Sequence, residues 1–293
     1  MTRGGVPWGM LPPMAPTEVL VDGLVFGEGP RWHDGRLWFS DMHDRKVKAI
    51  DAAGKVEDVL EVPGDPSGLG WLPDGRLLVV SMTDRRLLRL DPGGLSEHAD
   101  LSKLASYHCN DMVTDARGRS YVGNFGFDLH ANATPRTAEL VLVNPEGDAR
   151  IVADELSFPN GSVITPDEGT LVVGESFGAR LTAFDIAEDG SLSNRRVWAQ
   201  LEGAVPDGIC LDAEGAIWVA SPVSNEVLRV REGGAVTDRI PLSRMAIACM
   251  LGGPDRRTLF VCTSETIDPA ECIAKRSARI ETTQVEVPGA GLP

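Results

Sequence analysis

Glu28-Gly-Pro-Arg-Trp-His-Asp-Gly-Arg-Leu-Trp-Phe-Ser40 and Ser67-Gly-Leu-Gly-Trp-Leu-Pro-Asp-Gly-Arg-Leu-Leu-Val-Val-Ser81 follow one plan: a short apolar run, an Asp-Gly turn and a second β-rich run. This is a hairpin signature, because glycine supplies the positive φ that a tight hairpin turn requires. The plan returns at Asn110 to Gly123 and at Asp207 to Ala220, and in weaker form at Asn160 to Val173 and Ala248 to Val261. A third β-rich run generally follows, as at Lys46 to Ile50, Arg86 to Leu90, Glu139 to Val143, Arg180 to Phe184 and Val227 to Val230. The turn glycines at 35, 75, 118, 169 and 215 lie 40, 43, 51 and 46 residues apart, and a sixth turn near Arg256 lies 41 further on. That is the period of a four-stranded propeller blade.

Six such units fill the chain, and no segment between them has the 3.6-residue periodicity of a long helix. The expected fold is therefore all-β: a six-bladed β-propeller of four-stranded antiparallel blades around a central channel, spanning 17–293 as one domain after an N-terminal extension over 1–16. A two-sheet sandwich would account for the strand content but not for six turns at near-regular spacing. Closing the ring requires a strand from one terminus to pair with the last blade, which protects an otherwise open sheet edge. Val19 to Phe26 and Ile280 to Val287 are both suited to it.

Composition narrows the function. The formal net charge is −15 over 293 residues, which disfavours nucleic acid, whose phosphates call for a basic surface. No window approaches the roughly 18 uninterrupted apolar residues of a membrane span, and prolines interrupt Met1 to Pro16 where a signal peptide needs an apolar stretch. The expectation is a soluble cytoplasmic protein with no membrane partner, with monomer and small homo-oligomer both open. Cys109, Cys210, Cys249, Cys262 and Cys272 are scattered without a Cys-x-x-Cys pair, and read as buried thiols.

In a propeller the innermost strands line the channel, so one repeat position brings together side chains far apart in sequence. The position before the first strand's Gly, or its replacement, is filled by Glu28, Ser67, Asn110, Asn160, Asp207 and, less clearly aligned, Ala248. Asn-Gly and Asp-Gly are common turn dipeptides, a sufficient local explanation for any one of them. Recurrence ahead of an apolar strand, with Glu28 in the same slot, points instead to a shared ligand site. Two carboxylates and two carboxamides offer hard oxygen donors, a set suited to one divalent cation such as calcium, magnesium or manganese. Without a cation, Glu28 and Asp207 would repel each other in a partly dry channel.

Gly27-Glu28-Gly29-Pro30-Arg31-Trp32 with Leu37-Trp38-Phe39-Ser40-Asp41, Pro159-Asn160-Gly161 and Pro206-Asp207-Gly208-Ile209-Cys210-Leu211-Asp212 resemble the senescence marker protein, gluconolactonase and regucalcin family of six-bladed propellers. The likeness runs from about Val19 to the C-terminus. It implies one cation, calcium first and zinc, magnesium or manganese as alternatives, held by Glu28, Asn160 and Asp207. It also implies Asn110 as a contact to substrate or metal, and hydrolysis of sugar lactones with Asp207 as general base. Two stretches depart from the family. His108 stands where sugar-lactone-hydrolysing relatives often carry arginine, and is a candidate substrate-binding residue. The segment 124–137 does not match the family's sugar-gripping loop and, with Phe125, Phe127 and His130, could form a partly apolar wall. A less polar lactone or ester is thus as good a candidate substrate as gluconolactone.

The other histidines, His33, His43, His98 and His130, lack metal-site spacing and read as turn or loop residues. No Gly-x-Ser-x-Gly elbow is present, which argues against a serine hydrolase. The leading function is a metal-dependent lactonase or related esterase. Other metal-dependent reactions on the same scaffold, such as phosphotriester hydrolysis, isomerisation or dehydration, and a non-catalytic calcium-binding or protein-binding propeller are the alternatives, since fold alone does not fix function.

Overall fold

The computed structural model describes residues 16–51 and 54–291. It forms six four-stranded antiparallel sheets arranged as a six-bladed β-propeller. The innermost strands of blades 1 to 6 are Gly27–His33, Pro66–Trp71, Cys109–Thr114, Pro159–Ile164, Ile209–Leu211 and Met245–Gly252. Each touches the next around the hub, and the sixth touches the first, so the ring is closed. The N-terminal extension expected over 1–16 lies outside the described residues except for Pro16. Among the described residues no helix is long and apolar enough to cross a membrane.

The hairpin turns form because one or two residues at each tip take left-handed backbone. Gly35, Gly75, Gly118 and Gly215 have φ of 72° to 85°. In blade 4 the left-handed residue is Glu168 (φ 56°), one place before the expected Gly169, and in blade 6 it is Arg256 (φ 59°). The third strands fall where the sequence places them, at Lys46–Ile50, Arg86–Asp91, Ala138–Val143, Arg180–Ile186 and Glu226–Val230. The one α-helix among the described residues, Pro269–Lys275, leaves blade 6 after its second strand. Asp268 caps it by accepting from the Glu271 N–H at 2.9 Å, and Pro269 occupies its first turn.

Of the two segments suited to ring closure, the N-terminal one supplies the outer strand. Glu18–Leu24 forms the outermost strand of blade 6, against Ala278–Gln284, with Glu18 opposite Thr282. Beyond that blade, residues 285–291 run back under blades 5 and 6, where the Ala213 N–H donates to the Pro288 carbonyl and the Ala290 N–H to that of Leu211. The core lies between blades as apolar clusters. Trp218, Tyr121, Phe39 and Leu37 are among its largest fully buried side chains. All five cysteines are buried and free, as their scatter in the sequence suggests.

The hub is narrow, and this explains two of the glycines that follow the ligand slot. A Cβ on Gly161 would lie 2.5 Å from the Ile209 nitrogen and 2.6 Å from the Asp207 carbonyl oxygen, and one on Gly208 would lie 2.3 Å from the Ala248 Cβ. Neither glycine has positive φ. They are there because the backbone of the next blade leaves no room for a side chain, and the Gly161 N–H donates across the gap to the Asp207 carbonyl at 3.1 Å.

Candidate active site

At the first hairpin of blades 1, 2, 3, 4 and 6 the pairing register slips next to the slot: between Glu28 and Arg31, Pro66 and Leu69, Cys109 and Met112, Pro159 and Ser162, and Ala246 and Ala248. In blade 5 the slot residue Asp207 precedes the strand altogether. A bulge takes a residue out of the alternating pattern and re-aims its side chain. Glu28, Asn110, Asn160 and Asp207 all line one cavity of about 580 Å³. The other two slot residues, Ser67 and Ala248, are fully buried and do not.

A second set of polar residues, not singled out by the sequence reading, recurs beside the slots and in blades 1, 4 and 5 holds the entering loop. It ends the second strand of the blades and is buried from solvent: Asp41, Ser81, Asn124, Glu175, Ser221 and Ser264. Asp41 Oδ1 accepts the N–H groups of Val25 and Phe26 at 3.0 and 2.8 Å, just before Glu28. Glu175 Oε2 accepts the Ser157 N–H at 2.7 Å, just before Asn160. Ser221 Oγ accepts the Val205 N–H at 3.1 Å, just before Asp207. In each case the incoming loop has backbone donors with no sheet partner, and the side chain satisfies them. The signal was present in the sequence as a polar residue recurring at the end of the second β-run.

Hydrogen bonds also orient the slot side chains themselves. Asn160 Nδ2 donates to Ser176 Oγ at 3.3 Å, and that hydroxyl donates to the Pro206 carbonyl at 2.7 Å. Asn110 Nδ2 donates to the Pro159 carbonyl at 3.4 Å, tying blade 3 to blade 4. Among the side chains lining the cavity, two buried oxygens are left without any hydrogen-bond partner: Asn160 Oδ1 and Asp207 Oδ1. An orphaned buried acceptor is costly unless something else satisfies it. Here two belong to residues of neighbouring blades that line the same cavity.

The electrostatics have the same sense. Burial, then the negative charges of Asp207 and Asp111, push the Glu28 carboxyl well above the usual carboxylate range. Burial and Asp111 raise Asp207 too, against a lowering hydrogen bond from Asn160. Asp111 is itself clamped by Arg31, whose Nη2 lies 2.9 Å from Asp111 Oδ1, and Arg31 also donates to the Pro30 carbonyl at 2.8 Å and to that of Met112. That ion pair is wholly buried and joins blade 1 to blade 3. It leaves the two slot carboxylates without a cationic partner of their own. An oxygen-only donor set with orphaned acceptors and carboxyls poised to ionise fits a hard divalent cation. Among the described residues there is no cluster of three or more His, Cys, Asp and Glu side chains that could hold a metal; the candidate set differs in drawing two of its members from asparagine.

The histidines are distributed differently from the expectation. His43 and His130 line the cavity, whereas His33 stacks on Trp71 at 4.0 Å and His98 lies on an outer strand. His108, the candidate substrate-binding residue, is not among the lining residues. It stacks on Tyr107 at 4.2 Å beside Phe125, and burial lowers its imidazole below the ordinary value. From the loop 124–137, Phe125, Leu129 and His130 reach the cavity, and Phe127 packs edge-on against Phe158 and Phe177 behind it.

Residues 26–265 match the family described as the SMP-30/Gluconolactonase/LRE-like region. Among curated proteins the chain is 27% identical over 279 residues to the 6-deoxy-6-sulfogluconolactonase of Pseudomonas putida, covering 92% of this chain and 94% of that one. It is 26% identical over 268 residues to regucalcin of Danio rerio, covering 85% and 86%. Among solved structures it is similar to a calcium-binding protein, regucalcin, from Agrobacterium tumefaciens, with a TM-score of 0.81 at 24% identity over 96% of this chain and 97% of the other; at that identity the likeness is one of fold.

Proposed function

Because the chain belongs to the SMP-30/gluconolactonase/LRE-like family, we propose that it is a divalent-cation-dependent lactonase that opens a small-molecule lactone in the cavity at the hub. The family's lactone-hydrolysing relatives support the reaction class. The observation that carries the residue assignment is the pair of buried, unpartnered oxygens Asn160 Oδ1 and Asp207 Oδ1 in a cavity that also takes in Glu28.

Glu28, Asn160 and Asp207 would hold the cation, with Asn110 beside them; calcium is the first choice for such an oxygen set, and zinc, magnesium and manganese are the alternatives to be tested. When bound, the cation supplies Lewis-acid polarisation of an ester carbonyl and acidifies a coordinated water. Asp207 is also the general base: one of its carboxylate oxygens would serve the cation, and the other takes the proton of the attacking water. Asn110 positions the lactone from blade 3. Ser176 fixes the rotamer of Asn160 so that its amide nitrogen is engaged and its oxygen points to the shared ligand.

The test is a pH-stat assay over a panel of lactones with the cation removed by chelation and restored. Turnover should vanish on chelation and in Asp207→Ala, while Asn110→Ala shifts substrate preference more than cation affinity. Full cation-dependent turnover in Asp207→Ala would refute the assignment of the base. Tight calcium binding without cleavage of any lactone or ester would favour a non-catalytic calcium-binding protein instead.

A further inference from the structure

Few of the side chains lining the cavity are polar. Glu28, Asn110, Asn160 and Asp207 occupy the floor, and the Ser176 hydroxyl is already committed to Asn160 and the Pro206 carbonyl. His43 and His130 are the remaining polar side chains in the lining, and among the described residues no lysine or arginine faces the cavity. The rest of the wall is apolar. Phe125 and Phe158 stack at 4.7 Å deep in the site, and Phe158 meets Phe177 at 5.2 Å on the way out. At the mouth Phe177, Val223 and Ile267 are 54%, 65% and 47% exposed. Large apolar side chains gathered in solvent around one opening mark a surface that receives something apolar.

Phe158 adds an independent indication. Its φ is 63°, in the left-handed region where a bulky side chain is strained. The same place in blade 2, two residues before the slot, is Asp65 with φ 61°, a residue type that tolerates this conformation. Backbone geometry alone therefore calls for Asp, Asn or Gly at 158. The phenylalanine is accounted for by what its ring contributes to the cavity wall.

We propose, resting on lactone hydrolysis at this site, that the substrate is an uncharged lactone bearing an alkyl or aryl substituent, with its ester group over Glu28, Asn160 and Asp207 and the substituent along the wall formed by Phe125, Phe158 and Phe177. A polyhydroxylated lactone would place several hydroxyl groups against this wall without hydrogen-bond partners, and each unpaired one weakens binding. An anionic substituent along this wall would find no lysine or arginine to pair with. The volume, about 580 Å³, falls in the range of pockets that enclose drug-sized ligands.

The test uses the full chain loaded with calcium and compares kcat/KM for unsubstituted δ-valerolactone, its propyl-, pentyl- and heptyl-substituted homologues and glucono-δ-lactone. Rates should rise by up to about fourfold for each methylene that becomes buried, with gluconolactone the poorest substrate. Phe177→Gln, at the exposed rim, should flatten the dependence on chain length. In parallel, calorimetric titration with the matching alkyl δ-lactams, which resist hydrolysis, should show Kd tightening along the same series. Gluconolactone as the best substrate, or no dependence on chain length in either series, would overturn the inference and leave lactone hydrolysis standing. No cleavage of any lactone, with lactam affinity still climbing, would refute hydrolysis but uphold an apolar ligand in this cavity.

Discussion

Replacing Gly161 by alanine tests how closely the hub is packed and whether that packing sets the site. The added Cβ would sit 2.5 Å from the Ile209 nitrogen and 2.6 Å from the Asp207 carbonyl oxygen, both backbone atoms that no rotamer change can move away. Ordinary contact needs about 3.5 Å, so the inner strands of blades 4 and 5 must part by about 1 Å. The separation lengthens the 3.1 Å hydrogen bond from the Gly161 N–H to the Asp207 carbonyl. Overpacking of this kind costs about 1–3 kcal/mol and a weakened backbone hydrogen bond about 0.5–1.5 kcal/mol. The sum, about 1.5–4.5 kcal/mol, corresponds to a fall in Tm of roughly 3–8 °C for a domain of this size. The same movement separates Asn160 from Asp207 by several times the roughly 0.2 Å tolerance of metal–ligand distances, so calcium affinity should drop at least tenfold. The assay is scanning calorimetry in chelator followed by calcium titration. Gly93→Ala is the control, because it meets nothing within 4 Å and lacks positive φ. Wild-type Tm and calcium affinity in Gly161→Ala would refute the close approach of the two blades.

Other outcomes follow from the same structure. Arg31→Met leaves the Asp111 carboxyl buried without its partner and should cost about 3–5 kcal/mol, whereas Arg31→Met with Asp111→Leu should recover most of it; equal losses in urea denaturation of the single and double variants would count against a coupled pair. Glu175 is held below the ordinary glutamate value: burial raises it, but hydrogen bonds from Arg180, the Ser157 N–H and Thr182 outweigh that. Its stabilisation is therefore complete above the unfolded value near pH 4.3 and is lost as pH falls through the lower folded value. Glu175→Gln should be less stable than the parent at pH 7 and close to it at about pH 2, and an undiminished gap in acid would contradict this. Because burial raises Glu28 and Asp207, with the charges of Asp207 and Asp111 adding to it at Glu28 and that of Asp111 at Asp207, calcium must displace protons, so adding calcium to weakly buffered protein near neutral pH should acidify it, and apparent affinity should fall as pH is lowered. A pH electrode showing no change on saturation would argue against these carboxylates as ligands.

The propeller was legible because its information is local and repeated. Turns at a spacing of 40 to 51 residues, five of them marked by glycine, and β-rich runs on either side identify the blades without knowledge of any long-range contact. Glu28, Asn110, Asn160 and Asp207 could be picked out because the repeat makes sequence-distant positions equivalent, and bulges at the first three, with Asp207 lying just ahead of its strand, bring them to one cavity. What the sequence did not disclose depends on relations between blades. The glycines at 161 and 208 looked like turn residues, whereas their reason lies in the backbone of the next blade. His130 reaches the cavity through an irregular segment with no repeat partner, His43 through a 3-10 turn whose counterpart in blade 4 carries Phe177, and His108 turns aside onto Tyr107, a choice that two residues of spacing from Asn110 could not reveal. The polar residues closing the second strands were visible as letters, but their role required knowing that Asp41, Glu175 and Ser221 face the loops entering their own blades.

The strand that seals blade 6 sets a timetable for the birth of this protein. Glu18 pairs with Thr282, 264 residues later in the chain, as do Thr17 and Glu281 through a side-chain hydrogen bond. On the ribosome the early strand must wait for nearly the whole polypeptide to be made before its partner exists, while blades 1 to 5 can already assemble from neighbours in sequence. Pairing across such a distance is slow, and an unsealed edge invites association with other nascent chains in the interval. Production of soluble protein should therefore depend on the rate at which the last fifty residues emerge more than on the intrinsic stability of any single blade.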